Sequence, residues 1–157
     1  MNKATICRLQ KADELDEAMV LVQRVFDLFE APEYSDRGKR EFYSYIRPEN
    51  IFRNIRQGAL FVWGYYQASQ MLGVIAIRPP CHISLLFVDE QHHRQGIGRA
   101  LFDAALSYCQ VRFVCQECTV HSSPYAQNIY KKLGFTDAGP KTTENGLHYI
   151  PMRRPLP

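Results

Sequence analysis

The chain of 157 residues is 46% hydrophobic and 22% charged, an ordinary globular balance, and it is long enough to bury a core of its own. Its formal net charge is only +3 and its lysines and arginines are scattered, so we expect no nucleic-acid partner. The sequence contains neither the roughly 20-residue apolar run that crosses a bilayer nor the apolar core of a signal peptide near residue 1. We therefore predict one cytoplasmic domain over residues 1–157 with no membrane partner.

The five cysteines are an odd number and are spread over apolar segments, which favours reduced, buried thiols. Cys115 and Cys118 form a C-x-x-C pair, but no second pair lies at zinc-ligand spacing. His92 and His93 are adjacent, so their side chains are expected to point apart as a solvent-exposed pair rather than share a metal ion. We therefore predict no bound metal, with zinc or redox use of the cysteine pair as the alternative.

The first 50 residues predict one strand and two helices. Residues 4–9 alternate as a strand, and residues 12–30 have a helical pattern that Asp13 is placed to cap. A shorter helix is expected from about Ser35 to Ile46, closed by a following proline. The apolar positions that define the first helix are Leu15, Ala18, Met19, Val22, Phe26 and Phe29.

The middle of the chain predicts a meander and a crossover. Residues 59–66, 71–78 and 81–88 are β-rich runs joined by short connections, as in antiparallel strands. A helical pattern over 96–111 then leads to a buried strand over 113–120. The strands on either side of this helix are therefore predicted to be parallel neighbours.

The end of the chain predicts a helix over 123–133, ended by Gly134, and a last strand over 146–154. Because Pro151 cannot donate to a ladder, we expect that strand at an edge, where it offers a surface for a homodimer. The element order indicates an α/β fold with a mixed, mostly antiparallel sheet and helices on both faces.

Two glycines, Gly96 and Gly98, fall where the third strand of the meander gives way to a helix. Glycine costs about 0.5 to 1 kcal/mol relative to alanine in a helix, so a compensating role is expected. Free backbone N–H groups at a helix start bind phosphate, and glycine leaves room for it. The dinucleotide motif needs a third glycine where Leu101 stands, and the P-loop sequence G-K-S/T is absent. A tight turn without a ligand is the alternative.

The run H-R-Q-G-I-G over residues 93–98 resembles the R/Q-x-x-G-x-G/A loop that binds acetyl-CoA in the GCN5-related N-acetyltransferase (GNAT) family. The segment HSSPYAQNIYKKLGF over 121–135 resembles a second segment of that family, in which a tyrosine precedes Leu-Gly-Phe. Two departures stand out, since His93 replaces the usual arginine or glutamine and His121 replaces an expected asparagine. The resemblance implies a GNAT-like fold with a βαβ core that binds acetyl-CoA.

The resemblance also implies which residues contact acetyl-CoA. The pantetheine arm is expected to pair with the backbone of Leu86, Phe87 and Val88, and the N–H of Val88 or its neighbour to polarise the acetyl carbonyl. The phosphate contacts are expected from Arg94, Gln95, Gly96, Ile97, Gly98 and Arg99.

Tyr130 matches the family's general acid, which meets the departing thiolate; a plain core tyrosine is the alternative. The acceptor amine also needs a base, and His82 is the first choice because it lies on the predicted cofactor strand and histidine titrates near neutrality. A hydrogen-bonded strand histidine is the alternative reading. The other acceptor-side candidates are Glu33, Tyr34, Ser84 and His121.

We therefore predict an N-acetyltransferase that moves an acetyl group from acetyl-CoA to a primary amine, either a small molecule or a peptide. Backbone activation of the carbonyl requires no covalent intermediate, so direct transfer in a ternary complex is favoured over an acyl-cysteine. The alternative is a non-catalytic acyl-CoA-binding or regulatory module, which the two histidine departures motivate.

Overall fold

The structure is a computed structural model that describes residues 3–157. The strands are Ala4–Arg8 (β1), Phe61–Gln67 (β2), Gln70–Arg78 (β3), His82–Val88 (β4), Glu117–Ser122 (β5), Thr136–Asp137 (β6), Thr142–Glu144 (β7) and Leu147–Pro155 (β8). The α-helices are Ala12–Phe29 (α1), Asp36–Tyr45 (α2), Pro48–Arg56 (α3), Ile97–Arg112 (α4) and Gln127–Lys132 (α5). Short 3₁₀ turns occupy Ala31–Glu33 and Glu90–His92.

The strands form one sheet in the order β1-β2-β3-β4-β5-β8-β6, with β7 also paired to β8. Only β4 and β5 are parallel among the described pairs, and α4 connects them. The predicted mixed, mostly antiparallel sheet with a βαβ crossover is therefore confirmed.

Helices cover both faces of this sheet. Residues of α1 such as Val22 and Phe26 are fully buried against one face, together with Val74 of β3. Residues of α4 such as Phe102 are buried against the other face, together with Ile75 of β3. Because β3 is buried on both sides, it anchors the strand beside it, β4.

Strands β4 and β5 diverge soon after they meet. Only two residue pairs join them, His82 with Thr119 and Ile83 with Val120. The register with β3 shifts at the same level, where Ala76 pairs with Leu85 but Ile77 pairs with Ile83, so Ser84 is the extra residue of a bulge. A bulge bends its strand. The rest of β4 therefore borders a wedge-shaped gap on its β5 side.

Two details of the helical predictions are wrong. Asp13 does not cap α1, which begins one residue earlier; Lys11 occupies the cap, and the Glu14 carboxylate accepts from its backbone N–H at 3.2 Å. Pro48 follows the end of α2 but also starts α3, a helix that the sequence pattern did not predict. Proline fits a first helical position because the missing N–H would have no partner there.

Two details of the strand predictions are also wrong. Strand β5 begins at Glu117 rather than at residue 113. Strand β8 lies between β5 and β6 rather than at an edge. In an antiparallel strand the nitrogen and the carbonyl of one residue face the same neighbouring strand. The Pro151 carbonyl accepts from the Ala138 N–H at 2.7 Å, on the β6 side. The N–H that Pro151 lacks is therefore missing on that side too, where the β6 ladder has already ended at Asp137. The homodimer prediction thus loses the edge on which it was based.

Within residues 3–157, no helix combines the length and apolar character that spanning a bilayer requires.

Candidate active site

A cavity of about 560 Å³ lies in the gap beside β4, between α4 and α5. The loop before α4 forms one wall, and two of its residues have a positive φ, Arg94 at 64° and Gly96 at 82°. Gly96 caps α4 in this left-handed conformation, which glycine adopts without strain. The first turn of α4, whose backbone N–H groups have no partner within the helix, therefore lies at the edge of the cavity.

Gly98 lies in that first turn and lines the cavity. A Cβ added there would meet only Val88, at 3.9 Å, so the chain's own packing leaves room for a side chain. The absence of a side chain at Gly98 keeps the space in front of the helix start open. Such a cradle fits a phosphate group.

The two arginines of this loop differ in what they contact. The Arg99 guanidinium donates to the backbone carbonyl of Lys132 at 2.6 Å, which ties α4 to the end of α5. Both Arg94 and Arg99 line the cavity, as do Gly96, Ile97 and Gly98, whereas Gln95 belongs to the loop but not to the cavity wall.

His93 braces the loop instead of pointing into solvent. Its Nε2 donates to the carbonyl of Val88 at 2.7 Å, and its ring centroid lies 5.2 Å from that of Phe29. The neighbouring His92 is bonded separately, through Nδ1 to the Asp89 carboxylate at 3.0 Å. The two histidines therefore have different partners, as the sequence predicts for adjacent side chains.

The backbone of β4 presents alternate residues to the gap. The N–H of Asp89 bonds to Leu72 of β3 at 2.8 Å, whereas the carbonyl of Val88 faces away, toward His93. By this alternation Leu86 and Val88 direct their backbone groups to the gap, and Phe87 directs its groups to β3. Leu86 and Val88 are therefore free to pair with an extended ligand, but Phe87 can line the cavity only with other atoms.

Tyr130 is almost fully buried, at 6% exposure, and lines both this cavity and a second one. Burial, with the nearby Glu30 carboxyl next in importance, raises the pKa of its phenol. Its ring packs edge-on against Phe135, at 5.6 Å between centroids. Tyr130 therefore lies on the apolar face of α5 and also forms part of the wall between the two cavities.

The second cavity, of about 460 Å³, lies on the other side of Tyr130. Tyr34, His82, Ser84 and His121 line it, as the sequence suggested for the acceptor side; Glu33 does not. The charged residues in its wall are Glu30, Glu41, Glu144 and Arg78.

The two histidines of this second cavity lie side by side, with ring centroids 4.9 Å apart. His82 shares a hydrogen bond of 2.8 Å between its Nδ1 and the Thr119 hydroxyl. Burial lowers the pKa of His82 to about 4, with help from Arg78 and His121. His121 stacks on Tyr149, at 4.2 Å between centroids, and burial lowers its pKa as well.

Glu30 is a residue of both cavity walls that the sequence pattern did not predict. It follows the last residue of α1 and lines both cavities. Burial raises the pKa of its carboxyl to about 7; the Ser123 hydroxyl opposes this and Glu33 adds to it. The signal was present in the sequence, because Glu30 continues the buried stripe of Val22 and Phe26 at a spacing of four.

The cysteines lie apart from both cavities. Cys118 of β5 is fully buried and contacts Cys81, which directly precedes the neighbouring strand β4, with 3.0 Å between the sulfurs. Its C-x-x-C partner Cys115 is not part of this contact. Burial raises the pKa of Cys115. In the described part of the chain, no three His, Cys, Asp or Glu side chains are grouped so that they could hold a metal ion.

Residues 30–156 match the sequence model of the acetyltransferase (GNAT) domain. The match covers most of the chain, which therefore belongs to the GNAT acetyltransferase family. No protein of curated function matches the sequence.

Solved structures with the same fold are distant in sequence. A GCN5-related N-acetyltransferase from Rhodopseudomonas palustris superimposes with a TM-score of 0.81 at 18% identity, over 99% of this chain and 98% of that one. The PaiA N-acetyltransferase of Thermoplasma acidophilum, solved with coenzyme A, gives 0.78 at 18% identity, over 98% and 99%. The ribosomal-protein-S18-alanine N-acetyltransferase of Escherichia coli gives 0.63 at 20% identity, over 98% and 94%. These likenesses concern the fold, and membership of the family supports acetyl transfer as the class of activity.

Proposed function

We propose that the protein transfers the acetyl group of acetyl-CoA directly to a primary amine while both substrates are bound. The observation that carries this proposal is the pair of cavities that meet at Tyr130. Five residues line both cavities: Glu30, Leu86, Phe87, Ala126 and Tyr130. A thioester from one side and an amine from the other would meet there.

The larger cavity suits the donor. The pyrophosphate would lie against the N–H groups of Gly96 to Gly98, with Arg94 adding charge-assisted hydrogen bonds. The pantetheine amides would pair with the backbone of Leu86 and Val88, as an added strand pairs with an open edge. The Val88 carbonyl already accepts from His93, so it would share its second lone pair or exchange partners.

The acetyl carbonyl would be activated by a backbone N–H of β4. Leu86 and Val88 are the candidates, since only they direct N–H groups into the gap at this level. A fixed N–H aimed at the developing oxyanion stabilises charge without reorganising, and loss of one such donor typically costs about 10²- to 10³-fold in rate.

The smaller cavity suits the amine. Its wall holds three carboxylates, Glu30, Glu41 and Glu144, against one arginine, Arg78. The rings of Tyr34 and Tyr149 also line it, and aromatic faces attract cations. An ammonium-bearing acceptor is therefore the ligand whose charge complements this wall.

Direct transfer agrees with the position of the thiols. Within residues 3–157, no cysteine contributes to the wall of either cavity. Cys81, Cys109 and Cys118 are also at most 1% exposed. A thiol sealed in the core cannot take the acetyl group from a ligand in the gap.

Tyr130 would meet the departing thiolate. The thiolate of a thiol with a pKa near 8.5 is a weaker base than the phenolate of an ordinary tyrosine with a pKa of about 10. Burial raises the pKa of Tyr130 further. Full proton transfer is therefore uphill. Hydrogen-bond donation to the thiolate, followed by proton delivery as the amide forms, is the role that the energetics favour.

The test is a screen of amines, polyamines, amino acids and peptides with acetyl-CoA, in which the release of the free CoA thiol is measured. We expect release that depends on one class of amine. Tyr130→Phe should lower kcat by about 100-fold and leave acetyl-CoA affinity unchanged. Tyr108→Phe is the matched control, because Tyr108 packs against Trp63 and lines neither cavity.

Two results would contradict the proposal. One is acetyl-CoA binding without release for every amine, which would favour a non-catalytic acyl-CoA-binding module. The other is equal turnover of Tyr130→Phe and the native protein, which would remove Tyr130 from the chemistry.

A further inference from the structure

Glu30 occupies the passage between the two cavities. Of the five residues that line both cavities, it is the one with a carboxylate, and Tyr130 is the other with an ionisable group. Glu30 is only half-buried, so it is accessible from the cavities that it lines. An amine in the smaller cavity would pass Glu30 on its way to the thioester.

We propose that the Glu30 carboxylate accepts the proton that the acceptor ammonium must lose before it attacks. This inference rests on the function proposed above. In the balanced reaction, the ammonium gives one proton to Glu30, and the nitrogen forms the C–N bond as the C–S bond breaks. The second proton of the nitrogen replaces the one that Tyr130 gives to the sulfur, and Glu30 releases its proton to solvent.

The pKa of Glu30 suits this step. An alkyl ammonium has a pKa of about 10.4, so giving its proton to an ordinary glutamate of pKa about 4.3 is uphill by about six units. A carboxyl with a pKa of about 7 narrows this gap to about three units. It is still largely ionised just above neutral pH, so it is ready to accept.

Several ionisable groups face Glu30 and bear on its titration. Glu33 and Tyr34 belong to the same turn, and Tyr130 faces it from α5. The charged and titratable groups elsewhere in the two cavity walls are Arg78, His82, His121, Glu41, Glu144, Tyr45 and Tyr149 on one side and His92, His93, Arg94, Arg99, Lys132 and Tyr125 on the other.

His82, the base favoured by the sequence, has a weaker claim. Its pKa of about 4 makes it a poorer base than Glu30 by about three units. It also lines only the smaller cavity, and one of its nitrogens is bonded to Thr119. Position and basicity therefore both favour Glu30.

The decisive experiment measures kcat/KM against pH, from about 5.5 to 9, for native protein, Glu30→Gln, Glu30→Asp and Glu33→Gln with the amine that the screen identifies. The native profile should rise with unit slope to a break near pH 7. Glu30→Gln should lose the break near pH 7 and about 100-fold in kcat, because only the neutral amine then reacts and its fraction keeps rising toward its pKa of about 10.4. Glu30→Asp should keep a break with a lower kcat. Acetyl-CoA affinity, measured by calorimetry, should be unchanged in all four proteins.

Glu33→Gln is the matched control, since Glu33 belongs to the same turn but lines neither cavity. It should keep the break, moved to slightly lower pH because the Glu33 charge that raises the pKa of Glu30 is gone. A Glu30→Gln variant with the native break and kcat would overturn the role of Glu30 alone. Native protein that binds acetyl-CoA but acetylates no amine would overturn the function on which that role rests.

Discussion

The raised pKa of Glu30 also has a measurable effect on stability. Between pH 4.5 and 7 the folded protein holds a proton on this carboxyl that the unfolded chain has released. Stability falls with rising pH wherever the folded state binds more protons than the unfolded state. Ionised Glu30 therefore destabilises the native protein above neutral pH, and Glu30→Gln should remove that cost.

The shift from 4.5 to about 7 sets the size of the effect. Each unit corresponds to about 1.4 kcal/mol, so the upper limit is about 3 kcal/mol. Glu30 is partly exposed, and solvent screening lowers this value, so we expect about 1 to 2 kcal/mol. The free energy of unfolding of Glu30→Gln, relative to native protein, should rise by this amount between about pH 5 and 8.

Urea unfolding followed by circular dichroism at several pH values measures this difference. Glu17→Gln, which removes a solvent-exposed carboxylate from the same helix, controls for the change in net charge. A difference between Glu30→Gln and native protein that stays constant from pH 5 to 8 would show that Glu30 is not buried with a raised pKa. Glu30 would then be no better a proton acceptor than an ordinary glutamate.

Three further predictions test other parts of the site. A Cβ at Gly38 would lie 2.8 Å from the carbonyl carbon of Gly146, so Gly38→Ala should displace the turn that carries Asn145. Because Asn145 lines the smaller cavity, this variant should raise KM for the amine, whereas Arg40→Ala, at an exposed position of the same helix, should not. Arg94→Ala should weaken acetyl-CoA binding about 10-fold and Arg99→Ala less, because the Arg99 guanidinium is already bonded to Lys132; equal losses by calorimetry would contradict this. A thiol reagent should label Cys7 and Cys115 in the native protein and the three buried cysteines only after unfolding; rapid labelling of all five would show that the core opens.

The loop before α4 could be predicted because its signal is local. Gly96 and Gly98 conflict with helix propensity inside a helix, and the structure places them at the start of α4 beside the larger cavity. The buried helices and the β4 to β5 crossover were likewise encoded in apolar spacing. These features depend on neighbours in sequence, and the structure agrees with them.

Other features depend on contacts between distant segments. Glu30 was missed because its environment is made by Ser123 and Tyr130, about a hundred residues later in the chain. The interior position of β8 was missed because Pro151 alone favoured an edge, and only the short strand β6 explains why it is tolerated. The brace between His93 and Val88 likewise depends on how the loop folds back on β4.

We infer that acetyl-CoA binds in the gap beside β4 with its pyrophosphate at Gly98. Calorimetric titration of acetyl-CoA into native protein, Gly98→Trp and Asp103→Trp tests it, since Asp103 is exposed on the same helix and lies outside the cavity wall. We predict one-to-one binding by native protein and Asp103→Trp, and at least about 100-fold weaker binding by a folded Gly98→Trp. Native affinity in Gly98→Trp would show that the pyrophosphate does not lie at Gly98, and no binding by native protein would show that the gap is not an acetyl-CoA site.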